Sequence, residues 1–234
     1  MNASDGKLWA GLSAEGRAAL TTRRYGSESA VEAGKLVGAK GEDVIPGVEI
    51  FARTIYPQRH RGFFGEFVRR DEGVPARIGF WPKQWATARM FAQTAKGFHI
   101  HPPSVPEGTS PNEWFRRVFV TEAENYSLRR YDEEQWDMMF FVQGVAEMIL
   151  HELRTGMPRR TMRFLVDGDD HRGASNVGVI IPPGVAHAIR VEGSADLIMV
   201  YGTSTSFRPE FEGRIASEVE TATLPESWQG FLAQ

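Results

Sequence analysis

The 234-residue chain contains no cysteine. Disulfides and thiolate metal sites are therefore excluded, and histidine and carboxylates remain as the strong metal ligands. No run of about 18 apolar residues occurs, and the first 24 residues hold no uninterrupted apolar segment, so neither a membrane span nor a secretory signal is expected. A soluble, cytoplasmic protein is the expectation. Twenty-seven basic and 30 acidic residues leave a net charge of -3 with no long block of either sign, which points away from a nucleic-acid groove or a charged tail. Dinucleotide and P-loop glycine patterns are absent, so any phosphate would be met by Arg and Lys rather than by a helix N-terminus. Helical periodicity is scarce, and there is no internal repeat or low-complexity tract.

What the chain does contain is a series of short strand signals punctuated by Gly and Pro. Residues 48–56 read as one strand ended by Pro57, and Gly62 to Arg69 as a second, in which Glu66 shares a face with Phe64 and Val68. Arg77 to Trp81 reads as a short strand before Pro82, and Gln84 opens an extended or loop segment. Asp137 to Val142 and Val145 to Arg154 flank Gln143-Gly144 and read as a hairpin, with apolar residues on both faces as layered sheets require. Further strands are expected at Val177 to Ile181 and Leu197 to Tyr201. This pattern predicts an all-β fold, an antiparallel jelly-roll sandwich or barrel with a small-ligand cavity, preceded by an N-terminal extension. The expected organisation is an extension over residues 1–45, helical at best in part, a jelly roll over 46–215 with an insertion at about 104–135, and a tail over 216–234.

The most informative stretch is Lys96-Gly97-Phe98-His99-Ile100-His101-Pro102-Pro103. Residues two apart in a strand share a face, so His99 and His101 should look into one cavity, and the prolines end the strand. A third histidine, His187, follows the turn Ile181-Pro182-Pro183-Gly184-Val185-Ala186, and the two segments are expected to meet. His60, His151 and His171 read as structural or exposed. Met138 and Met139 read as packing residues, and Tyr201 on its own would read as a core tyrosine with a bonded hydroxyl.

Arg61-Gly62-Phe63-Phe64-Gly65-Glu66, Lys96-Gly97-Phe98-His99, the segment from Ile181 to His187, and Val200-Tyr201-Gly202-Thr203 through Pro209 resemble, in order, the signature segments of the dTDP-4-dehydrorhamnose 3,5-epimerases. The resemblance covers about residues 48–215. It implies a cupin jelly roll, usually a homodimer, that binds a nucleotide-linked 4-keto sugar and needs no cofactor. It implies His99 as general base and Tyr201 as the acid that reprotonates from the opposite side. Arg61, Phe64, Glu66, Gln84 and Lys96 fall on positions that contact the nucleotide sugar, and His187 on a cavity-lining histidine. Asp137 stands where the family has a lysine near the keto oxygen, and His101 where it has a glutamine. The family's carboxylate partner for the base has no Asp counterpart after Asp196, which leaves Glu210, Glu212, Glu218 and Glu220 as candidates.

Two other families are similar over the histidine pair. One is the dTDP-sugar 3,4-ketoisomerases, in which both histidines work on a keto sugar. The other is the metal-binding cupins, whose second motif matches Pro182, Gly184 and His187. That second resemblance implies a divalent metal (Fe, Mn, Zn or Ni) on His99, His101 and His187, with Glu107 as a further ligand, in an oxygenase or small-molecule isomerase. A non-catalytic cupin that binds a sugar or other small ligand is the third reading.

Overall fold

The computed structural model describes residues 36–37, 44–101, 107–110, 113, 134–158, 160–171 and 175–208. Two five-stranded antiparallel sheets and a two-stranded hairpin account for nearly all of their regular structure. The strands are β1 (Leu36–Val37), β2 (Glu49–Ala52), β3 (Thr54–Pro57), β4 (Phe63–Glu66), β5 (Gln84–Met90), β6 (Ala95–His99), β7 (Asp137–Gln143), β8 (Val145–Glu152), β9 (Thr161–Asp167), β10 (Val177–Ile181), β11 (Val185–Glu192) and β12 (Leu197–Thr203), joined among the described residues by an α-helix, α1 (Gly73–Ile78), and a 3-10 turn at Arg59–Arg61. The first sheet runs β1-β9-β8-β11-β6, the second β2-β10-β7-β12-β5, and β3 pairs only with β4. This is the all-β jelly-roll sandwich that the strand spacing predicts.

Period-two alternation explains how one sheet is buried on both sides. Along β7, Met139 and Phe141 point between the sheets, where they join Met148, Leu150, Phe164, Val179, Met199 and others in the main core. Met138 and Phe140 point the other way and form a second cluster with Phe80, Ile180, Phe67 and Trp136. The segment that covers this outer face contains α1. Val74 and Ile78, four residues apart on one helical face, pack onto the cluster, and Gly79 caps the helix in the left-handed conformation at φ 70°. A strand expected over Arg77 to Trp81 is therefore a helix end and a turn.

Other boundaries also shift. The run read as one strand over residues 48–56 is two, because Arg53 interrupts it and sends β2 and β3 to different sheets. The second strand extends only over Phe63–Glu66. The segment opening at Gln84 is a seven-residue strand. The β7-β8 hairpin is not one: β7 lies in the second sheet and β8 in the first, so the Gly144 turn is a crossover between layers. That turn is tucked inward. The Gly144 amide bonds the Asp170 carboxylate at 3.0 Å, and a Cβ there would meet the Asp196 carbonyl oxygen at 2.5 Å. Of the N-terminal extension only β1 and residues 44–45 are described, β1 adding an edge to the first sheet; the 216–234 tail and most of the 104–135 insertion lie outside the described residues.

Arg53 is 4% exposed and pairs with Asp169 while its guanidinium lies 4.6 Å from the Phe67 ring centroid. Asn176 also donates to Asp169, at 3.1 Å. A buried ion pair of this kind stabilises little in total, but losing one partner strands a charge in an apolar site. Asp169→Ala is thus expected to cost about 3–5 kcal/mol in chemical denaturation, and Arg53→Met combined with Asp169→Leu much less. Equal losses in the single and double variants would contradict this account of the strand switch.

Candidate functional site

The two histidine segments meet because β6 pairs antiparallel with β11, with His99 opposite His187. Just past the end of β6, the His101 carbonyl accepts the Gly184 amide at 2.7 Å, which pins the chain beside the Pro182-Pro183-Gly184 turn. The β6-β11 pairing carries a bulge. From His187 to Ile189 is two residues, but their partners His99 and Lys96 are three apart, so β6 holds one extra residue. Strict alternation would put Lys96 and His99 on opposite faces. The bulge instead allows both to line one cavity.

Gly97 makes the bulge possible. It sits at φ 144°, and a Cβ there would lie 2.4 Å from the Ala188 Cβ and 2.6 Å from its Cα.

The cavity occupies about 310 Å³ and opens between the sheets. Its wall on the first sheet carries Lys96, His99, His187 and Ile189; the second sheet contributes Gln84, Asp137, Met139, Met199, Tyr201 and Thr203. The depth of these groups differs. Asp137, His187 and His101 are 3%, 4% and 8% exposed, His99, Tyr201 and Gln84 are half-buried, and Lys96 and Phe207 reach solvent. Gln84 accepts the Phe207 amide at 2.8 Å and so holds the mouth in place.

At the floor, Asp137 Oδ2 faces His101 Nε2 at 3.1 Å and His187 Nε2 at 3.5 Å. Asp137 Oδ1 accepts from the Gln135 amide at 3.0 Å. Burial alone would raise the Asp137 pKa, but the charge and hydrogen bond of His101, aided by His187 and Gln135, more than offset it and hold the carboxyl below the usual range. Burial pushes His187 down to about 4, with His101 and Lys96 adding to the effect and Asp137 opposing it. His187 is therefore neutral near pH 7, and the Asp137 carboxylate is held between the two imidazoles. Ring centroids of His99 and His187 are 5.8 Å apart, and those of His101 and His187 5.7 Å.

Seven of the sequence candidates thus share one cavity: Gln84, Lys96, His99, His101, Asp137, His187 and Tyr201. Three do not line it. Arg61, Phe64 and Glu66 lie on or beside the β3-β4 hairpin, where Phe64 is 50% exposed and stacks on Tyr56, and Glu66 pairs with Arg69 at 2.9 Å. Glu107 is an exposed turn residue, not a cavity ligand. The metal set His99, His101 and His187 is also revised: the ligand atoms that lie within 4.8 Å of one another belong to His101, Asp137 and His187. Glu210, Glu212, Glu218 and Glu220 lie outside the described residues. Gln135 and Thr203 were not foreseen, although each is two residues from a candidate, Asp137 or Tyr201, and so shares its face.

No protein-family model matches the chain. A curated relative, the spore coat polysaccharide biosynthesis protein SpsL of Bacillus subtilis (strain 168), is 28% identical over 181 residues, which are 76% of this chain and 93% of the relative. Among solved structures, a dTDP sugar isomerase from Desulfovibrio desulfuricans G20 superposes with a TM-score of 0.56 at 13% identity, over 81% of this chain and 97% of that one. The dTDP-6-deoxy-D-glucose-3,5-epimerase of Legionella pneumophila Philadelphia 1, in complex with dTDP-4-keto-L-rhamnose, gives 0.52 at 18% identity over 79% and 78%. NovW, a 4-keto-6-deoxy sugar epimerase from the novobiocin gene cluster of Streptomyces spheroides, gives 0.51 at 17% over 74% and 70%. The chain therefore shares the jelly-roll fold of these solved sugar epimerases and isomerase. No described helix is long and apolar enough to cross a membrane.

Gly97→Ala tests whether the site depends on the bulge. Strained backbone and the clash with Ala188 together predict a loss of about 2–4 kcal/mol in denaturant unfolding. Adding Ala188→Gly should recover only part of it, since the positive φ persists. A neutral Gly97→Ala would show that β6 can leave β11 without consequence.

Proposed function

We propose that this chain, which has the fold of the dTDP-4-dehydrorhamnose 3,5-epimerases, epimerises or isomerises a nucleotide-linked 4-keto-6-deoxy sugar by removing and returning a proton next to the ketone. The observation that carries the reading is that His99 and Tyr201 line the same cavity from opposite sheets. Histidine has a pKa suited to taking such a proton near neutrality, and a phenol can return one to the other face of the ring. His99 takes the proton, the C–H electron pair forms a C=C bond, and the carbonyl electrons move to oxygen as an enolate. Collapse of the enolate with a proton from Tyr201 inverts the carbon, so no oxidant or reductant is consumed.

The cavity volume suits a sugar ring and not a whole nucleotide sugar. The nucleotide therefore lies toward the mouth, by Lys96 and Phe207. Arg61, Phe64 and Glu66, which are remote from this cavity and exposed or half-buried, serve the site of a second copy in a homodimer. What supports this is the resemblance in sequence around Arg61 together with the solvent-facing Tyr56-Phe64 stack.

The test is solvent deuterium uptake by dTDP-4-keto-6-deoxyglucose and related 4-keto sugars, followed by NMR. Wild-type protein should exchange the protons flanking the ketone, and His99→Asn should reduce exchange by about 10²–10⁴-fold. Tyr201→Phe should slow product formation more than exchange, because abstraction remains possible without the acid. Uptake that persists in His99→Asn would falsify the assignment of the base. Tight sugar binding without any exchange by wild-type protein would favour a binding module.

A further inference from the structure

The floor of the cavity brings three potential ligand atoms together. Asp137 Oδ2 lies 3.1 Å from His101 Nε2 and 3.5 Å from His187 Nε2, and all three ligand atoms fall within 4.8 Å of one another. On a tetrahedral zinc ion with bonds of about 2.0–2.1 Å, two ligand atoms sit about 3.3 Å apart, so these separations need little adjustment. The three side chains are nine-tenths buried or more. In two of the three the remaining atom is already engaged as in held metal ligands, and His101 Nε2 also faces the Gln135 amide nitrogen at 3.3 Å, which a bound ion would displace. His187 Nδ1 approaches the Val185 carbonyl at 3.4 Å, which favours a proton there and leaves Nε2 with its lone pair toward the carboxylate. Asp137 Oδ1 accepts from Gln135, which leaves Oδ2 as the inward oxygen. A lone pair facing a carboxylate oxygen in a buried site requires a proton or a cation between them.

We propose that His101, Asp137 and His187 bind a first-row divalent cation, zinc or iron(II) by donor type, whose open side faces the cavity. Two imidazoles and one carboxylate on three separate segments form the donor set of catalytic metal sites that keep free positions. His99 stands outside the converging group, so base and cation are separate functions. The cation would be the electrophile that draws charge onto the sugar keto oxygen as His99 removes the neighbouring proton, a role that rests on the epimerase reading. The site itself rests only on geometry. Its effect on the local field is large: a bare carboxylate at the floor repels an enolate, and the same carboxylate with a divalent ion bound attracts it.

The experiment separates the two. Chelator-treated protein is titrated with Zn(II) and, as a spectroscopic probe, Co(II), with binding followed by calorimetry and ligand-field absorption and the metal counted by elemental analysis. One equivalent per chain is expected. Asp137→Asn and His187→Gln should each weaken binding by at least about 100-fold, whereas His99→Asn should retain it within a few-fold. Circular dichroism checks each variant, and His101→Gln, at the end of a strand, replaces any that fails to fold. Absence of saturable binding, binding that survives Asp137→Asn, or binding lost in His99→Asn overturns the site. Deuterium exchange that is equally fast in chelated and Zn(II)-loaded protein overturns the electrophile role and leaves the epimerase reading intact. A metal-loaded protein that exchanges no 4-keto sugar leaves the cation site standing and removes the epimerase reading.

Discussion

A carboxylate closed off from water between two imidazoles is the constraint on which this site depends. An isolated ionised carboxylate cannot be moved into a protein interior without compensation, because desolvation costs several kcal/mol even after relaxation. Asp137 is nevertheless held in its charged form, through His101, His187 and Gln135. Each partner comes from a different part of the chain, so the carboxylate is satisfied only when β6, β7 and β11 are all in place. The polar floor therefore specifies the packing of the two sheets in a way that apolar contacts, which tolerate repacking, do not.

The two layers divide the chemistry between them. The first sheet supplies the histidine wall, and the second supplies Asp137, Tyr201 and Gln84. Residues on facing sheets are separated by the thickness of the core, about 10 Å between backbones, and a flat ring inserted there meets different groups on its two faces. The proposed inversion at carbon would ask for that arrangement. Most of the lining groups sit on paired strands, with β7 buried on both of its faces, so they are held by rigid elements, while His101 and Gln135 flank the strand ends.

The sequence shows the strand content clearly because β-branched and aromatic runs between Gly and Pro have few other solutions. It also shows the meeting of Lys96-His101 with Ile181-His187, through the shared face of alternate residues and the turn that precedes His187. Three features were hidden for physical reasons. Crossover turns and hairpin turns use the same residues, so Gly144 reads as a hairpin although β7 and β8 lie in different layers. A bulge changes which side of a strand a residue faces, its one trace in the sequence is Gly97, and Lys96 joins the site only by that route. A buried ion pair has no periodicity, so Arg53 and Asp169, polar residues in strand-like and turn-like settings, gave no hint that they organise a strand switch.

Asp137 shows how far residue type alone can mislead. Judged by its charge, an aspartate at the position that the epimerases fill with lysine argues against stabilising an enolate. Judged by its neighbours, it acts together with His101, whose ring it meets at 3.1 Å. A lysine acts as an electrophile by itself, whereas an aspartate flanked by imidazoles acts only through what it holds. In either case positive charge must lie where the oxyanion develops, since a water-poor cavity strengthens attraction and repulsion alike. On the proposed reading, the replacement would leave the electrostatic requirement unchanged and move the means of meeting it from a side chain of the protein to an ion bound at its floor.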